Sequence, residues 1–389
     1  MFLNDPELQA RRRKLQEAMA EAGADAMLIT TNVNIYYVSG IIFGGAVYIP
    51  REGDALFFVR RPVGIEGEGV IYIRKYEDIP GHIRAAGQEL PGTLLTENDS
   101  VTYNDYARFQ AVFPDAKLQN ATPLIRGVRS VKSDYELGLL RQSGHLHTEV
   151  YNKIPSLYRK GMTDVGLSIE IEREFRLHGS LGIFRVFGQS MEIFMGSVIA
   201  GGNADAPSPY DFALGGAGMD GSLPIGADGT LLEEGMSVMV DVGGNFTGYM
   251  TDMTRVFSIG RLTDLAYRAH QTALDIQSAV EKTAKSGVET KELYQIAVNI
   301  AKDAGLEDYF MGHRQKAGFI GHGIGIEINE APVLAPRSRD VLEKGMVFAL
   351  EPKFVIPGVG AVGVENSFCV TDNGAEKITL CNEEIISLI

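Results

Sequence analysis

The chain has 389 residues, 45% of them hydrophobic and 22% charged. That is enough apolar sequence for two domains with sizeable cores, and it excludes a chain that is disordered as a whole. Lys and Arg number 36 against 50 Asp and Glu, and the net charge of −14 argues against a nucleic-acid or anionic-membrane partner, because attraction to phosphate needs a positive face.

Met1 to Pro6 carry an acid and no apolar leader core, and no later apolar run approaches membrane-spanning length. A cytoplasmic protein is expected. Leu8 to Ala22 place apolar residues near helical spacing and end at Gly23, a helix stop. Ala26 to Thr30, Ala46 to Ile49 and Ala55 to Val59 read as strands, and Asn34 to Gly40 as a polar turn leading into an aromatic stretch. Helices and short strands alternate to about residue 125, which predicts a self-contained α/β domain over 1–125.

A second domain is expected over 126–389. Ser133-Asp134-Tyr135-Glu136 fits a capping box and starts a helix expected to reach Arg159. A second helix runs from Thr163 to about His178. Gly201 to Asp228 form a loop rich in Gly, Pro, Asp and Ser, long enough to suggest a function. Ser237 to Val242 form a strand, Thr263 to Lys285 and Thr290 to Ala304 two helices, and Val347 to Phe354 and Ala361 to Val370 two strands. Helix, helix, glycine-rich loop and strands thus occur twice, the sign of two similar halves about a pseudo-twofold with a cleft between them. The glycine pairs at 201–202 and 215–216 do not open a helix after a strand, so phosphate cradling is not expected. Cys369 and Cys381 lack CxxC spacing and read as reduced thiols.

The chemistry concentrates in Asp241, Asp252, His322, Glu351 and Glu365. Turn-forming residues separate Asp241 from Asp252. A turn over Asn245 to Gly248 would set the two carboxylates directly opposite each other on one face of a hairpin. Pro357-Gly358 lies midway between Glu351 and Glu365 and predicts the same opposition there. Each acid is embedded in apolar sequence, where Asp and Glu are rarely found unless paired or metal-bound. His322 stands between Gly321 and Gly323, which let the backbone approach closely. Four carboxylates and an imidazole suit two divalent cations sharing bridging carboxylates, with manganese, iron, cobalt or zinc as candidates. Two such metals would clamp a hydroxide for attack on a carbonyl.

These residues resemble the pita-bread metallohydrolases of peptidase family M24, which include Xaa-Pro aminopeptidases, prolidases, methionine aminopeptidases and creatinase. The resemblance rests on Asp241-Val-Gly-Gly, on Gly248 to Arg255, on Gly321 to Glu327, on Gly345-Met346-Val347 with Glu351-Pro352, and on Val364-Glu365-Asn366. Asn34 to Gly40 resemble the creatinase-type N-terminal domain, and Arg129 to Ser133 with Glu136 the start of the catalytic domain. The fold implied is α/β (α+β): a creatinase-type α/β domain followed by a pita-bread catalytic domain with pseudo-twofold halves. By the resemblance, Asp241 holds one metal, His322 with Glu351 the other, and Asp252 and Glu365 bridge them. Glu351 also moves the proton from the attacking water to the leaving amine. The function implied is a dinuclear metal-dependent hydrolase of an Xaa-Pro peptide bond, acting through a metal-bridging hydroxide. A creatinase-like hydrolase or lyase of a small non-peptide substrate, or a non-catalytic binding module, are the alternatives. A homodimer is implied, with Tyr36 and Tyr37 a candidate contact surface and the first domain restricting access to the cleft.

Three positions depart from the proline-specific pattern. Asn329 stands where the family carries a second histidine. Pro209-Tyr210 or Pro224-Ile225 stand where it carries Pro-His. Gly363 stands where an arginine is common. In the family these groups steady the substrate carbonyl and the tetrahedral intermediate. Tyr210, His313 and Lys316 are candidate replacement donors, and Tyr210 or Asp211 is expected to point toward the cleft. His82, His178 and His270 read as solvent-facing, and His145 and His147 as surface or core contacts on a helix.

Overall fold

The computed structural model describes residues 3, 5–188 and 195–389. The chain divides into two units, Met1–Arg129 and Ser130–Ile389.

In the first unit the helix Pro6–Glu21 starts where Asp5 accepts the Glu7 amide, and Gly23 takes a left-handed φ of 67° just beyond its end. A six-stranded mixed sheet runs in the order Val70–Tyr72, Leu56–Arg61, Gly44–Pro50, Ala26–Ile29, Thr93–Thr96, Lys117–Asn120. The segment expected as a polar turn is a helix, Asn32–Ser39, ended by Gly40 at φ 74°. Its start is capped by a residue far along the chain. Glu97, itself buried, accepts the amides of Thr30 and Thr31 at 2.7 and 2.9 Å and the Asn34 amide group at 2.7 Å. A carboxylate there satisfies N-terminal N–H groups and favours the positive helix end. Tyr37 is 1% exposed and lies under the Arg11 guanidinium. It belongs to this unit's interior, which corrects its reading as a contact surface.

The second unit contains the repeated order. Helices Asp134–Tyr151 and Asp164–Leu177 precede a sheet ordered Ile386–Ser387, Thr254–Ser258, Ser237–Val242, Gly196–Ala200. Helices Asp264–Thr283 and Thr290–Asp303 precede a sheet ordered Glu330–Leu334, Gly321–Gly323, Val347–Leu350, Asn366–Val370, Ala375–Lys377. The capping box at Ser133 forms in both directions, with the Glu136 amide on Ser133 Oγ and the Ser133 amide on Glu136 Oε2. The helix stops at Tyr151 rather than Arg159. Pro155 lacks the N–H a continuing helix needs, and only a short helical turn, Ile154–Leu157, follows. Each half has its own apolar core: Ile171, Phe175, Val238, Val240 and Phe257 in one, Ile276, Val280, Leu293, Phe348 and Phe368 in the other. Ile199, Met239, Val355 and Ala361 form a smaller cluster that draws on strands of both halves.

No helix among the described residues is long and apolar enough to cross a membrane. Cys369 and Cys381 are free thiols.

Candidate metal centre

Two hairpins build the site. Ser237–Val242 pairs with Thr254–Ser258, Asp241 opposite Thr254, and Gly244–Asn245 pairs with Met250–Thr251 in the same register. Asp241 and Asp252 are therefore diagonal neighbours on one face, not the directly opposed pair expected. The turn sits one residue later than expected, closed by the Gly248 amide on Asn245 Oδ1 with Gly248 at φ 86°. Asp252 falls between the two paired stretches. Its amide donates to Ser367 Oγ, which donates back to the Asp252 carbonyl.

The second hairpin has the expected register. Leu350 pairs with Asn366 and Lys353 with Gly363, which sets Glu351 across from Glu365. The ladder is interrupted at these acids. The single expected strand over 347–354 is two, Val347–Leu350 and Lys353–Ile356, and its partner likewise splits into Gly360–Gly363 and Asn366–Val370. In the interruption, the Glu351 amide donates to Ile320 O and the Glu365 amide to Thr254 O. Gln277 Nε2 bonds the carbonyls of Leu350 and Val364. The acids are thus held by neighbouring elements rather than by each other. The buried Arg255 guanidinium completes the support, bonding Glu365 O, Thr254 O and Asn366 Oδ1.

His322 lies on a strand whose glycines permit close contact. A Cβ at 321 would meet Ala349 O at 2.2 Å, and one at 323 would meet Ala331 O at 2.0 Å. His322 Nδ1 lies 3.2 Å from Gly323 O, which favours the tautomer that leaves Nε2 as a ligand. Nε2 stands 3.6 Å from Glu351 Oε1 and 3.9 Å from Asp252 Oδ2. These separations exceed a hydrogen bond. They match two ligands that each lie about 2.1 Å from a shared cation.

All five residues come together in one place. Ligand atoms of Asp252, His322 and Glu365 lie within 4.8 Å of one another, as do those of Asp241, Glu351 and Glu365. Lys353, not expected from the sequence, occupies the second group. Its side chain is fully buried, and Nζ donates to Glu351 Oε2 at 2.6 Å, Asp241 Oδ2 at 2.8 Å and Glu365 Oε2 at 3.2 Å. The available signal was a lone lysine in an otherwise apolar strand, two residues after a candidate ligand. Burial pushes the Lys353 pKa down, but Asp241, Glu351 and Glu365 outweigh it and hold the pKa well above the ordinary value. Burial, then Asp241 and Glu351, push the Asp252 carboxyl well up; burial, then Asp252 and Glu351, do the same to Glu365. A cation reverses that logic. Glu365 Oε1, in a residue 1% exposed, has no hydrogen-bond partner among the described residues. An orphaned buried oxygen on a carboxylate that groups with Asp252 and His322 fits a cation ligand.

Among the described residues, the contacts of the remaining candidates are with residues other than these five. His313 Nδ1 is 3.1 Å from Asp205 Oδ2. The Tyr210 ring packs against Phe212, and its loop is tied to Gln315 through both main-chain groups of Ser208. The hollow lined by Asp205, Tyr210, Asp211 and Lys316 includes none of the five cluster residues. Asn329 clasps the main chain of Phe187, donating to its carbonyl at 2.8 Å and accepting its amide at 2.7 Å. At Gly363, with φ 146°, a Cβ would lie 2.4 Å from Pro352 O, so this backbone has no room for an arginine there. His147 and His270 are buried; His270 Nε2 meets Glu383 O at 2.7 Å, which corrects its reading as solvent-facing.

Residues 138–372 match metallopeptidase family M24, and residues 11–131 match the creatinase/prolidase N-terminal domain. The chain belongs to metallopeptidase family M24. It is 29% identical to the uncharacterized peptidase YqhT of Bacillus subtilis, over 96% of this chain and 99% of that one. It is 25% identical to the Xaa-Pro dipeptidase of Pyrococcus horikoshii, over 96% and 98%. Among solved structures, the Xaa-Pro dipeptidase from Bacillus anthracis superposes with a TM-score of 0.78 at 26% identity, covering 98% of this chain and 99% of that one. The X-Pro aminopeptidase from Thermotoga maritima shares the fold with a TM-score of 0.78 at 22% identity, covering 97% and 99%.

Proposed function

We propose that the chain is a metal-dependent peptidase that hydrolyses the Xaa-Pro bond of short peptides. The observation that carries this reading is the convergence of Asp241, Asp252, His322, Glu351 and Glu365, in a chain that relatives named Xaa-Pro dipeptidase match along nearly its whole length. A divalent cation supplies Lewis acidity and makes water acidic enough to yield a nucleophile near neutral pH. Oxygen and imidazole donors suit manganese, cobalt, zinc or iron.

In this reading the chain's own residues hold and move charge. His322 offers Nε2 while Gly323 O retains Nδ1. Glu351 takes the proton released by the attacking water and passes it to the leaving amine, a transfer general bases perform at hydrogen-bond range. Lys353 holds Glu351 Oε2 while Oε1 faces His322, which fixes the carboxylate for that transfer. Tyr210 and His313 are proposed as donors to the substrate, and Tyr210→Phe and His313→Asn test them by turnover. Two divalent cations are the count the family resemblance suggests; Lys353 bears on that count, as argued below. We further propose a cytoplasmic homodimer.

The decisive assay is hydrolysis of a dipeptide panel, with and without proline at the second position, by protein loaded with manganese, cobalt or zinc. Cleavage confined to the proline-containing members is expected. Loss of that selectivity, or no cleavage with any of the three cations, overturns the reading.

A further inference from the structure

We propose that Lys353 takes the place of one of the two cations, so that the centre binds a single divalent cation through Asp252, His322, Glu365 and the Oε1 side of Glu351. The inference rests on the metal-dependent reading above but not on its peptide substrate.

The two groups of ligand atoms in the cluster are not equivalent. In the Asp241–Glu351–Glu365 group, an oxygen of every carboxylate already accepts from Nζ, at 2.6 to 3.2 Å. An ammonium has three donors and no lone pair, so it cannot itself ligate a metal. A dication drawn to those three oxygens would stand against a like charge, on a lysine whose side chain is fully buried. In the Asp252–His322–Glu365 group the reverse holds. Glu365 Oε1 is buried and unpartnered among the described residues, and Nε2 stands at ligand spacing from Asp252 and Glu351. The glutamates are divided between the two roles. Each gives Oε2 to Lys353, while Glu351 Oε1 faces His322 and Glu365 Oε1 remains open.

Charge agrees with this division. Lys353 and one divalent cation leave the four carboxylates with one net negative charge. On the same count, a second divalent cation beside Lys353 would leave the centre one net positive charge before any hydroxide binds, in a medium where unpaired charge is costly. The position across the hairpin is consistent too. Gly363 pairs with Lys353 and crowds the Lys353 Cα, at 2.8 Å from a Cβ built on it. A larger residue at 363 would push the strand that aims the lysine.

The test counts metal. Full-length protein is stripped with chelator, incubated with excess manganese chloride, gel-filtered and measured by plasma mass spectrometry against protein concentration. One manganese per chain is expected. Lys353→Met keeps the stem without the charge and should raise the count to about two. Lys353→Arg should keep it at one. Two manganese per wild-type chain, none, or a Lys353→Met protein that stays at one would each overturn the proposal. If Lys353→Met does not fold, electron paramagnetic resonance on the wild type decides alone. Beyond one equivalent, added manganese should appear as the free aquo ion, and a spin-coupled pair would refute the assignment. Hydrolysis is not read here, so an incorrect substrate cannot alter the outcome.

Discussion

Glu351 has Oε2 on Lys353 and Oε1 facing His322. Glu351→Gln keeps the volume but cannot accept a proton. Turnover of the metal-loaded variant should fall by about 10²–10⁴, the usual contribution of a positioned general base; kcat on a proline dipeptide checks it. His147 affects stability instead. Its ring is fully buried, Nδ1 lies 3.0 Å from Thr251 Oγ1, and burial together with the nearby Arg255 pushes its pKa down to about 3 from 6.5. Between those values the unfolded chain binds the extra proton and the folded chain does not. Stability from this residue is therefore lost as pH falls from 6.5 toward 3. Urea unfolding from pH 4 to 7 should show a shallower fall for His147→Gln than for the wild type.

At the scale of single elements, the second hairpin is the most exacting. Gly363→Ala sets a Cβ 2.4 Å from Pro352 O at a φ of 146°. The substitution should cost more than about 1 kcal/mol, read by chemical denaturation, because the backbone it requires is closed to L side chains. Ser133→Ala removes one side of the capping box and should cost about 1 kcal/mol by the same measurement. The contrast between elements shows what a sequence can reveal. The Ser133 cap, the helices that follow it and the opposition of Glu351 and Glu365 are encoded locally, by side chains three residues apart and by a turn midway. The helix Asn32–Ser39 was not legible because its cap is Glu97, distant in sequence at the end of the neighbouring strand. The register of Asp241 was not legible because several turn formers share one stretch and an Asn245 side chain decides among them. All five candidate ligands were legible, as acids and an imidazole in apolar sequence. Lys353 was not, since a lysine two residues from an acid is ordinary until its burial is known.

At the scale of the molecule, the cluster joins the two halves of the second unit: Asp241 and Asp252 come from one, His322, Glu351 and Glu365 from the other. A cation held between them binds only the folded chain. At about one hundred times its dissociation constant it should add about 2.7 kcal/mol. For a unit of this size that raises the melting temperature by roughly 5–10 °C. Calorimetry with manganese and then with chelator should show the gain appear and vanish. Light scattering across a concentration series checks the proposed dimer, which requires twice the chain mass.

The interrupted hairpin also carries much of the site on one continuous piece of chain. Glu351, Lys353, Gly363 and Glu365 all lie on one short excursion of the chain, while Asp241 and His322 are carried by separate strands and Asp252 lies between two others. Replacing residues 351–365 as one segment would therefore exchange these four positions at once. The excursion is in effect a cartridge: under the single-cation proposal, the scaffold around it can stay fixed while residue 353 in the inserted segment sets how many cations are accepted.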